Sequence, residues 1–225
     1  METHEIPSTA PRTPLTKERV LRAAIRLADD GGIEALSMRK LGQALGVEAM
    51  SLYNHARNKE DILDGIVDAV IGEIESGPAD ADWKASMRRL ALAARRVLLR
   101  HPWAPRVIES RTDPGPATLR HMDSVIGIFR DAGFSLDLTH HAMHVLGSRI
   151  FGFTQDLYDD SGESAPSPEV AAIFARQMRD TYPHVTEMAL AVSHEGGLGG
   201  CDDDLEFAFA LDLILDGLER LRDAA

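Results

Sequence analysis

Only one cysteine, Cys201, occurs among the 225 residues. A single thiol excludes an intramolecular disulfide, offers no cysteine cluster to a metal, and fits a reducing cytoplasm. Long apolar runs are missing too, and no segment reaches the ~20 residues needed to cross a bilayer. The opening METHEIPSTAPRTP has neither the basic start nor the apolar stretch of a secretion signal, so residues 1–14 are expected to form a flexible tail. No stretch alternates polar and apolar residues for long enough to make a strand. There is no internal repeat, no Gly-rich phosphate loop, no nucleophile elbow, and no HExxH or paired Glu-x-x-His motif. EGGLGG follows no strand and reads as a loop.

What is present is helix. Val20, Leu21, Ala24, Ile25 and Ala28 form a stripe of helical period over 16–30, with Thr16 as N-cap and Gly31–Gly32 as the stop. Ser37 caps a short helix MRKLGQAL that Gly46 ends, and a second short helix is expected at 49–56. Asn58 then caps a longer helix over 58–76, with Asp61 in a box-like arrangement. Further helices are expected at 82–100, 116–132, 135–158, 168–181, 183–193 and 203–222, separated by breakers such as HPW, DPGP, AGFS and TYP. The loop at 159–168 is the expected mobile segment. The fold class is all-α.

Charge divides the chain. The formal net charge is −12, yet residues 1–60 hold nine Lys/Arg against eight Asp/Glu. Between Leu36 and Lys59 the balance is basic, since Arg39, Lys40, Arg57 and Lys59 face only Glu48. The acidic surplus belongs to the remainder, and a basic footprint at one end is open.

That footprint coincides with LGVEAMSLYNHARNKEDIL, residues 45–63. Two short helices about a tight turn at Leu45-Gly46-Val47 make a helix-turn-helix unit. Val47 and Leu52 anchor the second helix inward. Ala49, Met50, Ser51, Tyr53, Asn54 and His55 are then left on or near the opposite surface, where small and polar side chains can contact bases.

Over residues 16–66, from VLRAAIRLADDGG through IEALSMRKLGQALGV and SLYNH to NKEDIL, the chain resembles the DNA-binding domain of the tetracycline repressor (TetR) family without a gap. The resemblance implies DNA contacts from Met38, Arg39, Ala49, Met50, Ser51, Tyr53, Asn54, His55 and Lys59. Arg39 suits a forked pair of bonds to guanine and Asn54 to adenine, while Ala49 and Met50 suit thymine methyls. Ser51, Tyr53, Lys59 and the helix N-terminus at Asn58 suit phosphates. Arg39 as a solvated helix residue, Tyr53 as packing, and Asn54 and His55 as spectators are the plain alternatives. Met38, Ala49 and Met50 depart from the polar or ring residues often found at matching positions, which implies a different operator.

The resemblance extends to the C-terminal domain of tetracycline-binding members through RRVLLRHPW, AGFSL, LGSRIFGFTQD and FALDLILDGLERL. In those members the domain encloses a drug–magnesium complex. The matching polar positions here hold Glu75, Leu90, Ile108, Val125, Ser148 and Asp156, and isoleucine cannot ligate magnesium. The effector-binding set implied is Leu90, Ala94, Arg106, Ile108, Val125, Phe129, Met143, His144, Ser148 and Phe151, suited to a mostly apolar molecule. A filled core is the alternative. The last helix is apolar around much of its circumference, with Leu205, Phe207, Phe209, Leu211, Leu213, Ile214, Leu215 and Leu218. A second buried face implies a symmetry mate, with 135–158 as companion helix.

The domains expected are a tail at 1–14, a DNA-binding domain at 15–60, and an effector-binding and dimerisation domain at 61–225. The reading is a cytoplasmic transcriptional repressor that binds a palindromic DNA operator as a homodimer and is released by a small effector. No cofactor, metal, membrane partner or catalytic residue is expected. Two other readings stand beside it: a helical metalloenzyme using the His140/His144 region, and a DNA-binding dimer without effector.

Overall fold

The computed structural model describes residues 14–75, 77, 82–152, 173, 176–192 and 203–224. Residues 1–13 of the tail, the loop at 159–168, Asp156, Cys201, EGGLGG and half of the helix expected at 168–181 lie outside the described residues. Every regular element among those described is helical. In order they are α1 (Lys17–Gly31), a 3-10 turn (Ile33–Ala35), α2 (Met38–Leu45), α3 (Ala49–Leu52), α4 (Lys59–Ile71) and α5 (Trp83–Arg100). There follow α6 (Ala104–Glu109), α7 (Pro116–Asp131), α8 (Leu136–Gly152), α9 (Pro183–Val192) and α10 (Asp203–Asp223).

Two compact units divide the chain. The first takes in Met1–Gly77 and Leu92–Ser124; the second takes in Pro78–Ala91 and Val125–Ala225. The boundary drawn at residue 60 falls in the first turn of α4, whereas the compact unit that contains α1 continues through α4 and α6.

In the first unit α1 packs against α2 and α4, and α4 against α6. The Thr16 hydroxyl accepts the Arg19 N–H at 3.2 Å and starts α1. Val20, Ala23, Ala24, Ile25 and Ala28 are buried along one stripe. Ile62, Ile66 and Val70 of α4 are equally enclosed. Each buried Val or Ile contributes about 1.5–3 kcal/mol, so this seam holds α1 to α4.

Helix α6 is a correction. HPW, residues 101–103, does interrupt the helical run as expected, but no helix is expected between it and residue 116. The structure has a helix at Ala104–Glu109 with Pro105 in its first turn. Proline interrupts a helix only from within; at the first positions its missing N–H is one no helix uses.

In the second unit Trp83, Phe129 and Phe134 form a tilted and edge-to-face trio with ring centroids 4.8–5.8 Å apart. The Arg222 guanidinium lies over two of these rings, 5.7 Å from Trp83 and 5.6 Å from Phe134. Alongside, Lys84 pairs with Asp216 at 2.6 Å and Glu219 at 2.7 Å, and Arg88 with Asp212 at 2.9 Å. Partly exposed pairs of this kind contribute only ~0–1 kcal/mol each, so the rings join α5 to α7, and Arg222 stacked on two of them, with the ion pairs beside it, brings in α10. Helix α8 packs on α10, where Arg149 donates to the Glu206 carbonyl at 2.7 Å and covers the Phe207 ring.

Candidate nucleic-acid interface

The turn between α2 and α3 follows from two glycines. Gly46 has φ 68° and ψ 33°, the left-handed conformation that costs a side chain energy and glycine little. Its N–H donates to Gln43 O at 3.1 Å and that of Val47 to Gly42 O at 3.0 Å, the paired closure that ends a helix abruptly. Gly42, inside α2, was not singled out from sequence. A Cβ there would lie 2.9 Å from Val47 O and 3.2 Å from Ala49 N. A glycine inside a short helix costs about 0.5–1 kcal/mol relative to alanine, and that local cost was the available signal. Leu41 and Leu52 are fully enclosed and Leu45 nearly so; they pin both short helices from beneath.

What remains outside is the presented surface. Met50 is 75% exposed and Tyr53 47% exposed, and Arg39, Asn54 and Lys59 are also exposed. Met38, Ala49, Ser51 and His55 are half-buried. The second helix is shorter than expected: α3 ends at Leu52 rather than 56. Tyr53 donates to Met50 O at 3.3 Å and His55 to Leu52 O at 2.8 Å, the tighter closure of a terminal turn. Tyr53, Asn54 and His55 therefore sit on a turn that continues the helix direction, because α4 must start only a few residues later.

That start is capped reciprocally. Asn58 Oδ1 accepts the Asp61 N–H at 2.8 Å, and Asp61 Oδ2 accepts the Arg57 N–H at 2.9 Å. The Arg57 backbone N–H bond is the chief cause that holds the Asp61 carboxyl below its ordinary value, with Lys17 and the Arg57 guanidinium adding to it against the effect of burial. The box locks the angle between the presented turn and α4.

Within the same unit, α4 is tied to the segment joining α6 and α7. Arg111 reaches Glu60 at 2.7 Å and Asp64 at 3.2 Å. One carboxylate oxygen of Asp68 accepts both the N–H and the hydroxyl of Thr118 in the first turn of α7. Ile108 lines a cavity of about 150 Å³ with Val67, Ile71, Pro114 and Thr118. Asp64, Asp68 and Arg111 were not marked from sequence, since nothing local distinguishes them from solvated charges.

The other effector candidates are placed as follows. Ala94 is buried in the first unit, where Arg106 is exposed with its guanidinium 3.5 Å from Glu34 of the 3-10 turn. In the second unit Leu90 and Phe129 are buried, Val125, Met143 and Phe151 are half-buried, and His144 and Ser148 are exposed. The His140 and His144 rings lie 4.5 Å apart on the surface of α8. Among the described residues no group of three or more His, Cys, Asp or Glu is placed to hold a metal ion, and no helix is long and apolar enough to cross a membrane.

Comparison with known proteins agrees with this geometry. Residues 20–66 match the family model described as bacterial regulatory proteins, tetR family, and residues 77–222 match the tetracyclin repressor-like C-terminal domain. The chain is 30% identical to the HTH-type transcriptional repressor DrrR1 of Streptomyces coeruleorubidus, over 98% of this chain and 83% of that one. It is also 30% identical to the class C tetracycline repressor of Escherichia coli, over 92% of each. Among solved structures, the TetR family protein ActR of Streptomyces coelicolor in complex with actinorhodin superposes with a TM-score of 0.73 at 26% identity, covering 93% of this chain and 99% of that one.

Proposed function

This chain belongs to the tetR family of bacterial regulatory proteins, and on that premise we propose that it is a cytoplasmic repressor that grips a palindromic operator as a homodimer and lets go when a small, mostly apolar effector binds. The observation that carries the DNA reading is the exposed set Arg39, Met50, Tyr53 and Asn54 held on a platform of buried Leu41, Leu45 and Leu52. Arg39 and Asn54 supply forked donors for base edges, and Met50 an apolar tip for a thymine methyl. Tyr53, Ser51 and Lys59 fix the register through phosphates.

A single presented turn is too small for tight specific binding, and two copies on successive major-groove faces supply the remainder. Helix α10 supports the dimer. Phe207, Leu211, Leu215 and Leu218 are buried on one face, while Leu205, Phe209 and Leu213 stand more than half exposed on another. That second apolar face, beside α8, suits a symmetry mate.

The effector reading is supported by the relatives' nature: ActR is described in complex with actinorhodin. In the second unit the buried Leu90 and Phe129, with half-buried Met143 and Phe151, suit an apolar ligand. The effector acts by preferring a conformation whose heads no longer match the operator, by several kcal/mol if it is to switch decisively. Selection of tight binders from random duplex DNA tests the whole reading. An inverted repeat with fixed spacing is expected; sequence-indifferent, salt-sensitive binding would remove the operator assignment.

A further inference from the structure

Helix α8 carries THHAMH, which places three of the chain's nine histidines within five positions. The helix buries Thr139, Ala142 and Leu146. At 3.6 residues per turn His140 and His144 fall on the opposite side, and both are exposed, as is His141. Core packing therefore does not account for them. Four residues apart, His140 and His144 project from successive turns, one above the other. Their ring centroids lie 4.5 Å apart with the ring planes at 73°. His141 is turned aside: its ring centroid is 5.8 Å from that of His140, and its Nε2 is 3.7 Å from Asp137 Oδ2 one turn back.

An imidazole nitrogen bonds a divalent transition ion at about 2.0–2.1 Å, so two nitrogens in one shell stand roughly 3–4 Å apart. Rings with this centroid separation reach that spacing by turning about their own side-chain bonds, and exposure leaves them free to turn. The helix backbone supplies the rest. Imidazole suits zinc, copper and nickel, whereas magnesium and calcium take oxygen ligands. Among the described residues no third His, Cys, Asp or Glu completes the set. Water then fills the remaining positions, which makes the ion exchangeable rather than a structural pin. The acidic surplus of the chain beyond residue 60 draws cations to this part of the molecule.

We propose that His140 and His144 chelate a borderline divalent transition ion, of the zinc, copper and nickel class, on the outer face of α8. The HExxH arrangement sets two histidines at the same spacing but adds a glutamate base after the first. Here His141 stands in that place, so the pair binds metal without hydrolysing anything. The site belongs to one chain and rests on neither the operator nor the dimer reading.

The test is Zn2+ titrated into the full, untagged chain at neutral pH and followed by calorimetry, with excess Mg2+ present throughout. One ion per chain is expected. His144→Gln should lose about tenfold or more in affinity, because the second nitrogen no longer binds intramolecularly. His140→Gln should lose as much, and His141→Gln should bind as the unmodified chain does. All three positions are exposed, so the variants keep the fold. With Cu2+ in place of Zn2+, electron spin resonance should show two coordinated nitrogens, falling to one in His140→Gln and in His144→Gln. No Zn2+ binding, binding abolished by Mg2+, or unchanged affinity in His140→Gln and His144→Gln overturns the site. An equal loss in His141→Gln overturns the choice of pair, and one ion shared by two chains overturns a shell completed by water.

Discussion

Asp68 on α4 receives two hydrogen bonds on one oxygen from a single residue of α7, the Thr118 N–H at 2.8 Å and its hydroxyl at 3.0 Å. The carboxylate thus caps the N-terminus of α7 from a neighbouring helix, where a negative group is also favoured by the helix dipole. Replacing it strands two part-buried donors. Asp68→Ala should lower stability by about 1–3 kcal/mol, measured by urea unfolding, whereas Asp68→Asn should recover part of the loss through its amide oxygen. An alanine at Gly115 would overlap the same carboxylate, and Gly115→Ala should mimic the loss.

Gly42→Ala sets a methyl against the backbone of Val47 and Ala49, 2.9–3.3 Å away. Backbone cannot rotate aside as a side chain can. Helix propensity favours the change by about 1 kcal/mol, and the clash opposes it by about 1–3 kcal/mol. Operator affinity is expected to fall more than stability does, because the strain lies between α2 and the presented turn. Equal stability and full binding in electrophoretic shift assays would show that the turn yields freely.

Arg39→Ala and Lys59→Ala should differ in kind. A forked contact to guanine discriminates by about 1–3 kcal/mol, so loss of Arg39 should weaken the selected operator while leaving random duplex almost unchanged. Loss of Lys59 should weaken both alike and reduce the salt dependence. Competition binding at two salt concentrations separates them.

Asp61 gives an acid-side prediction. Its folded carboxyl is held low by the Arg57 N–H. A group lowered on folding stabilises at pH values above its unfolded value and loses that contribution as pH falls through the folded one. The unmodified chain should therefore exceed Asp61→Asn in stability at pH 7, and the gap should close as acid titrates the carboxyl below its ordinary value of 3.8. Denaturant midpoints of both proteins from pH 7 to pH 3 measure this.

Phe209→Glu and Leu213→Glu place charge on the exposed apolar face of α10. Monomers of unchanged helicity are expected from light scattering, with operator binding weakened by at least an order of magnitude for want of a second head. A dimer that survives both substitutions would move the interface elsewhere.

The local devices were legible in the chain because each acts within a few residues. Thr16, Ser37 and Asn58 cap the helices that follow them, and each hydroxyl or amide oxygen meets an N–H three positions on. Gly46 ends α2 as its freedom at positive φ requires. The apolar stripe of α1 gave its buried face. Misjudged elements failed for an equally local reason: the helix at Ala104–Glu109 is only six residues long and carries a proline in its first turn, and α3 was extended through residues that the approach of α4 closes into a turn.

By itself, then, the order of residues determined an all-helical chain, the caps and turn of its DNA-reading head, and the side chains that head presents. Only the tertiary structure decided that Asp68 meets Thr118, that Arg111 holds Glu60 and Asp64, and that His101 stands between Asp29 and Glu73. Those partners lie 28–72 residues apart. Charged side chains on exposed helix faces look alike in sequence, and which of them meet depends on how helices remote in the chain pack their apolar faces together.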